Sequence, residues 1–61
     1  MKLEYDSEAN AAYLRFSSEK IIESEEVSAG IVLDFDEAGH LVGMEVLDAN
    51  HKLPPAALQA A

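Results

Sequence analysis

The sequence contains no cysteine and no tryptophan among its 61 residues. Without cysteine, neither a disulfide nor a thiolate metal site can stabilise this short chain. The absence of cysteine also agrees with a reducing compartment, so we expect a cytoplasmic protein. No apolar run approaches the ~20 residues that span a bilayer, and no signal peptide is visible at residues 1–4.

Basic side chains are scarce. Four lysines and arginines stand against twelve acidic residues, which gives a formal net charge of -8. Nucleic acids and anionic membranes are bound through clustered Lys and Arg, so we expect neither as a partner. Two interpretations of the charge stay open: it keeps the protein in solution, or it attracts a basic protein.

No set of residues completes a known catalytic or cofactor site. The three glycines are scattered and form no phosphate-binding loop. No serine lies in a nucleophile-elbow context, and there is no cysteine nucleophile. His40 and His51 would need to converge with carboxylates such as Asp36 or Asp48 to bind a metal or act as a base. We therefore predict no catalytic residue, no cofactor and no metal site.

A partial calcium-loop pattern is explained more simply by a turn. Its four matching residues occupy the first, third, sixth and twelfth positions of an EF-hand loop: Asp34, Asp36, Gly39 and Glu45. The fifth position is Ala38, which has no side-chain oxygen, and the flanking residues alternate like strands rather than helices.

The most informative stretch is residues 31–47, which we interpret as a β-hairpin. Apolar residues alternate on both sides of residues 36–39, with a period of two that is typical of a strand with one buried face. The acidic residues followed by Gly39 favour a type I turn whose last residue is left-handed. Gly43 lies inside the second strand and marks either a bulge or a close approach of another backbone.

Three more strands are predicted before the hairpin, at residues 2–5, 11–17 and 21–27. Composition alone would also allow a helix over residues 8–14, but alternation and aromatic residues favour a strand there. The third strand carries consecutive polar residues, which suit the edge of a sheet. Pro54 and Pro55 followed by alanines predict a short helix within residues 53–61.

These elements predict a single domain over residues 1–61 of the α+β class, mainly β. An antiparallel meander of about five strands occupies residues 1–47, and the helical segment follows at residues 53–61. Val32, Leu41 and Leu47 fall on the face opposite the core and offer the helix a place to lie.

The predicted core face is too large for one short chain to cover. A sheet with one apolar face needs a second layer, and residues 53–61 offer few large apolar side chains. We therefore predict a homodimer with a twofold axis. The face consists of Leu3, Tyr5, Leu14, Phe16, Leu33, Phe35, Val42, Met44 and Val46.

Two sets of residues are candidates for function. The first would bind a basic protein through Glu23, Glu25 and Glu26 on the acidic strand, with Tyr13 and Arg15 as a small recognition patch. The second would bind a small ligand, or act as an enzyme, through polar residues around the first turn. That second set is Asp6, Glu8 and Asn10. We favour the interaction module because no catalytic set completes.

Several segments resemble, in their order, the small bacterial family called domain of unknown function 2283, or DUF2283. They are residues 3–16, 23–27, 31–36 and 41–49, and the resemblance extends from residue 1 to about residue 53. It implies a compact β-rich domain without an established activity, and an antitoxin-like role beside a small basic protein for some members. The family usually has an acidic residue where this chain has Asn10.

Overall fold

The computed structural model describes residues 1–61 as one antiparallel sheet of five strands followed by two short helices. This architecture confirms the predicted mainly β class. The strands are β1 (Lys2–Asp6), β2 (Ala11–Arg15), β3 (Glu23–Ser28), β4 (Ile31–Phe35) and β5 (Leu41–Leu47). The helices are α1 (Ala49–Lys52) and α2 (Pro55–Gln59).

The order of the strands differs from the sequential order of a simple meander. Across the sheet the strands run β1-β2-β5-β4-β3, so residues 16–22 carry the chain from β2 to the far edge. Strand β5 is almost entirely apolar, which suits the centre, where both of its edges are paired. Strand β3 has six exposed residues and lies at the edge, as its charge predicted.

The predicted hairpin of β4 and β5 is confirmed, including its turn. Gly39 has φ = 86°, and its N–H donates to the Asp36 carbonyl at 3.0 Å. The Asp36 carboxylate accepts 2.9 Å hydrogen bonds from the N–H groups of Ala38 and His40. An aspartate before a left-handed glycine therefore closes the turn with its own side chain.

Gly43 marks a β-bulge. The register between β4 and β5 shifts at this point, because Asp34 pairs with Gly43 whereas Phe35 pairs with Leu41. One extra residue on β5 therefore moves Leu41 to the face that carries Phe35, while Leu47 lies on the opposite face with Ala11. The predicted position of Leu41 on the second face was wrong for this reason.

The helical segment packs on the same face as the predicted core, not on the opposite one. Leu53 and Ala57 line a small apolar hollow together with sheet residues. A sequence pattern that ignores the bulge leaves enough apolar residues on the second face to suggest a place for the helix there. The sheet residues that line the hollow are Leu3, Ala12, Leu14, Met44 and Val46.

The fully buried core is small. Only four apolar residues are buried: Ala12, Val42, Val46 and Ala49. Val42 is the largest fully buried side chain, and Phe16 remains 39% exposed. Of the nine residues predicted for the core face, two are buried and the rest are partly or largely open to solvent. Neither helix has the length and apolar character needed to cross a membrane.

Candidate functional site

The outer edge of β3 is the longest continuous exposed surface on any strand. All six of its residues are exposed, and β3 pairs only with β4. The backbone N–H and C=O groups along its other side are therefore unpaired within the chain, which makes this edge a template for an added strand. The three glutamates predicted to bind a partner, Glu23, Glu25 and Glu26, all lie on this strand.

The three glutamates divide between the two faces of the sheet. Glu23 and Glu25 pair with Phe35 and Leu33 and share their face, whereas Glu26 points to the other face. Glu26 accepts a 3.1 Å hydrogen bond from the N–H of Gly30. The side chains of Glu23 and Glu25 make no hydrogen bond or ion pair within the chain, so both carboxylates are free to meet a cation.

A hollow of about 340 Å³ lies at the start of β3. Ile22 and the Phe35 ring supply apolar surface to it, and four carboxylate side chains surround it. An apolar wall with carboxylates around it suits a long basic side chain, which can bury its methylene stem and keep its charge beside the acids. The four acidic residues are Glu23, Glu25, Asp36 and Glu37.

A buried carboxylate holds β3 and β2 together across the opposite face. Asp34 is only 7% exposed, and it accepts hydrogen bonds from the hydroxyl groups of Tyr13, at 2.8 Å, and Ser24. Tyr13 reaches Asp34 across Gly43, where an added Cβ would collide with the tyrosine hydroxyl. The close approach predicted at Gly43 therefore brings an aromatic side chain as well as the Leu14 backbone.

The environment of Tyr13 favours its neutral form. Removal of the hydroxyl from water, and its hydrogen bond to the Asp34 carboxylate, raise the pKa of Tyr13 above its usual value of 10.0. A tyrosine that donates to a carboxylate and titrates above the usual range does not serve as a base near neutral pH.

Arg15, the other residue of the predicted recognition patch, is engaged inside the chain. Its guanidinium donates to the carbonyls of Ser17 and Glu19, and its Nη1 lies 3.5 Å from the Tyr13 hydroxyl. These bonds secure the start of the connection from β2 to β3. Arg15 and Tyr13 lie on β2, which β5 and β4 separate from the acidic strand β3.

Asn10 is the centre of a second polar cluster, which joins the first turn to the helical segment. It adopts a left-handed backbone conformation with φ = 51°, and so does Asp48 with φ = 56°. The Asn10 side-chain oxygen accepts from the Tyr5 hydroxyl and the Asn50 N–H, both at 3.0 Å. Its amide nitrogen donates to the side chains of Asp48, at 3.1 Å, and Asn50, at 2.7 Å.

The alternative ligand set around the first turn is therefore used mainly for structure. Asp6 accepts hydrogen bonds from the N–H groups of Glu8 and Ala9, at 3.0 and 3.3 Å, and closes the turn. Asn10 has both amide functions occupied. Glu8 is exposed, and its side chain makes no hydrogen bond with either residue. The structure thus gives no shared binding pocket to Asp6, Glu8 and Asn10.

The two histidines lie close to the carboxylates with which they were paired in the sequence, but in separate places. His51 Nδ1 lies 2.8 Å from Asp48, and His40 Nδ1 lies 3.6 Å from Asp36. No group of three or more histidine and acidic side chains comes within metal-binding range. The calcium-loop residues are dispersed: Asp34 binds hydroxyl groups, and Asp36 closes the hairpin turn.

The family described as "Protein of unknown function (DUF2283)" matches residues 2–50, which comprise the whole sheet and the start of α1. The chain belongs to this family. No curated protein and no solved structure matches the chain. The DUF2283 match includes both polar clusters and the acidic strand, and it ends before α2.

Within this DUF2283 domain, sequence reasoning missed Asp34 as the acceptor of the Tyr13 and Ser24 hydroxyl groups. It also missed Asp48 and Asn50 as partners of Asn10. The sequence contained one signal for the first cluster. Gly43 lies opposite Asp34 in the hairpin, and a glycine at that position leaves room for a large neighbouring side chain. The second cluster spans about 40 residues of sequence, and no local pattern indicates it.

Proposed function

We propose that this protein is an interaction module that binds an extended, basic segment of another protein along the outer edge of β3. The observation that carries the proposal is that β3 is a free edge strand, exposed at all six residues and bearing only negative charge. A strand added to this edge would gain main-chain hydrogen bonds, and its side chains would provide specificity.

The charge of β3 selects the kind of strand that can add. Glutamates on an edge repel another copy of the same acidic edge, and they attract a strand that carries Lys or Arg. The other edge of the sheet, β1, has Lys2 beside Glu4 and Asp6, so its charge is mixed. Only β3 therefore combines an open edge with charge of a single sign.

The hollow at the start of β3 gives such a segment an anchor. A lysine or arginine that enters it would contact Phe35 and Ile22 through its methylene groups and would lie among four carboxylates. An antitoxin-like protein, which neutralises a small basic partner, would use this chemistry. The net charge of -8 would also accelerate the encounter with a basic protein at low salt.

The experiment is a titration of the ¹⁵N-labelled protein with a synthetic nine-residue peptide in which arginine and valine alternate. We expect amide shifts concentrated at residues 22–28, and an affinity that falls as salt is added, because exposed charges are screened. The double substitution Glu23→Gln/Glu25→Gln should weaken binding at least tenfold.

The matched control is Glu4→Gln/Glu45→Gln, which removes the same two charges from the opposite face of the sheet. Neither of these glutamates makes a hydrogen bond or an ion pair, so the fold should not depend on them. The control should weaken binding less than about threefold through net charge alone. Equal losses in the two double variants, shifts spread over the whole protein, or no binding would each reject the proposal.

A further inference from the structure

Residues 53–61 carry no charged side chain, although 26% of the whole chain is charged. Within this segment Leu53, Ala57 and Leu58 are partly covered by the sheet, whereas Pro55, Ala56 and Ala60 are exposed. Gln59 is the one polar residue on the outward side of α2, so most of that side is apolar surface that no other part of the chain covers.

A second apolar surface lies beside α2 on the same face of the sheet. We call it the open patch, and it comprises Leu14, Phe16, Leu33, Phe35, Leu41 and Met44. Leu14 and Met44 border the hollow under α2, and the other members extend away from the helix toward the opposite end of the strands. Phe16 and Leu41 are 39% and 41% exposed.

The chain exposes more solvent-accessible surface than is usual for a folded monomer of its mass. The chain exposes 4199 Å², whereas a folded monomer of 6.6 kDa exposes about 3,900 Å². The molecule is also flat, with Cα extents of 33 × 23 × 17 Å. The rectangle bounded by its two longer extents has an area of about 760 Å², so the projected area of one face is at most comparable with the roughly 800 Å² per partner of a stable interface.

We propose that a second copy of this chain covers both surfaces, with the outward side of α2 from each copy packed on the open patch of the other. A twofold axis parallel to the sheet and perpendicular to the strands brings this about. It places the helical end of each sheet opposite the open end of its partner. The result is a layer of two α2 helices between two sheets, in which each helix contacts its own sheet and the partner's.

A second copy suits these surfaces better than the basic partner proposed for β3. The members of the open patch and the outward side of α2 carry no charge, and the acidic side chains nearest to them on that face, Glu23 and Glu25, lie at the border of the patch beside Phe35 and Leu33. Each copy offers one helix and one patch, so the interface is self-complementary and closed.

This arrangement leaves the backbone edge of β3 free in both copies, although it covers the Phe35 ring, which also lines the hollow at the start of β3. Its test is sedimentation equilibrium of the full chain at 100 µM, together with isotope-filtered NOE spectra of a mixture of labelled and unlabelled protein. We expect a mass of about twice 6.6 kDa, and NOEs between copies from the methyl groups of Ala56 and Ala60 to the rings of Phe16 and Phe35.

The bulge in β5 supplies a matched pair of variants. Leu41 and Leu47 lie on the same strand, are 41% and 42% exposed, and point to opposite faces. Leu41→Glu would bury a charge in the interface and should raise the dimer dissociation constant at least tenfold. Leu47→Glu should leave it unchanged.

A monomeric mass would overturn the proposal, as would a dimer without NOEs from α2 to the open patch. Equal effects of the two leucine substitutions would also contradict it. Loss of peptide binding at β3 would not, because no β3 residue takes part in the helix layer. Circular dichroism of both variants shows whether either has simply failed to fold.

Discussion

The polar clusters around Asp34 and Asn10 both link distant parts of the chain, but one is buried and the other is largely exposed. Each joins parts of the chain that lie far apart in sequence, one through Asp34 and the other through Asn10. The Asp34 carboxylate is buried and accepts hydrogen bonds from two hydroxyl groups. The hydrogen bonds of Asn10, in contrast, lie mostly at the exposed surface. The comparison shows that the number of hydrogen bonds is a poor guide to their energetic weight, because water can replace partners only in the exposed cluster.

The tyrosines test this difference most directly, since each cluster contains one. Tyr13→Phe removes a donor from the buried Asp34 carboxylate, and we expect it to lower the free energy of unfolding by about 2 kcal/mol. Tyr5→Phe removes a donor from Asn10, whose oxygen keeps the Asn50 N–H, and should cost less than about 1 kcal/mol. Urea denaturation of the two variants at one protein concentration measures both values.

Equal costs for the two tyrosine substitutions would mean that burial does not separate the clusters. Tyr13→Phe combined with Asp34→Asn supplies the further control. If Tyr13 acts through Asp34, the double variant should lose less than the sum of the two single losses.

A smaller effect is expected from Asn10→Asp. Aspartate keeps the accepting oxygen, but it cannot donate to Asp48 or Asn50 and places a second carboxylate beside Asp48. We expect a loss of about 1–2 kcal/mol in urea denaturation, reduced by salt because the repulsion is exposed.

Asn10→Gly is the control for the backbone at this position, because glycine tolerates φ = 51° without a side chain. If Asn10→Asp were as stable as the natural sequence, the bonds to Asp48 and Asn50 would not hold the helical segment. A salt-independent loss would exclude repulsion between the carboxylates as its cause.

The elements that the sequence predicted well are those governed by neighbouring residues. Alternation gave the strands, and Asp36 and Gly39 gave the hairpin turn, because both follow from short-range geometry. The face of the sheet on which Leu41 lies was predicted wrongly, because the β-bulge beside Gly43 inverts the alternation at that residue. The sequence did not predict the order of the strands, because that order depends on which strands can be covered, and a hydrophobic period of two carries no information about it.

The residues of the candidate site also differ in how well the local sequence predicts their roles. The acidic edge strand followed from composition, because consecutive glutamates are tolerated only where solvent reaches them. The roles of Asn10 and Asp34 depend on partners from other strands, and Asn50 lies 40 residues from Asn10. The helix α1 was missed because the left-handed Asp48 redirects the chain, and an aspartate in that conformation is uncommon.

The clusters should also differ in the pH range at which each loses stability. Desolvation and the bond to Asp34 raise the pKa of Tyr13, so its contribution is fully present below pH 10.0 and is lost as pH rises through the folded-state value. The hydrogen bond from His51 lowers the pKa of Asp48 below 3.8, so its contribution is present above that pH and is lost as pH falls through the folded-state value. NMR titration of the Asp48 carboxyl carbon should give a midpoint below 3.8, and His51→Ala should move it upward. An unchanged midpoint in His51→Ala would show that the exposed cluster does not depend on this bond, whereas Tyr13→Phe should flatten only the alkaline side of the stability profile.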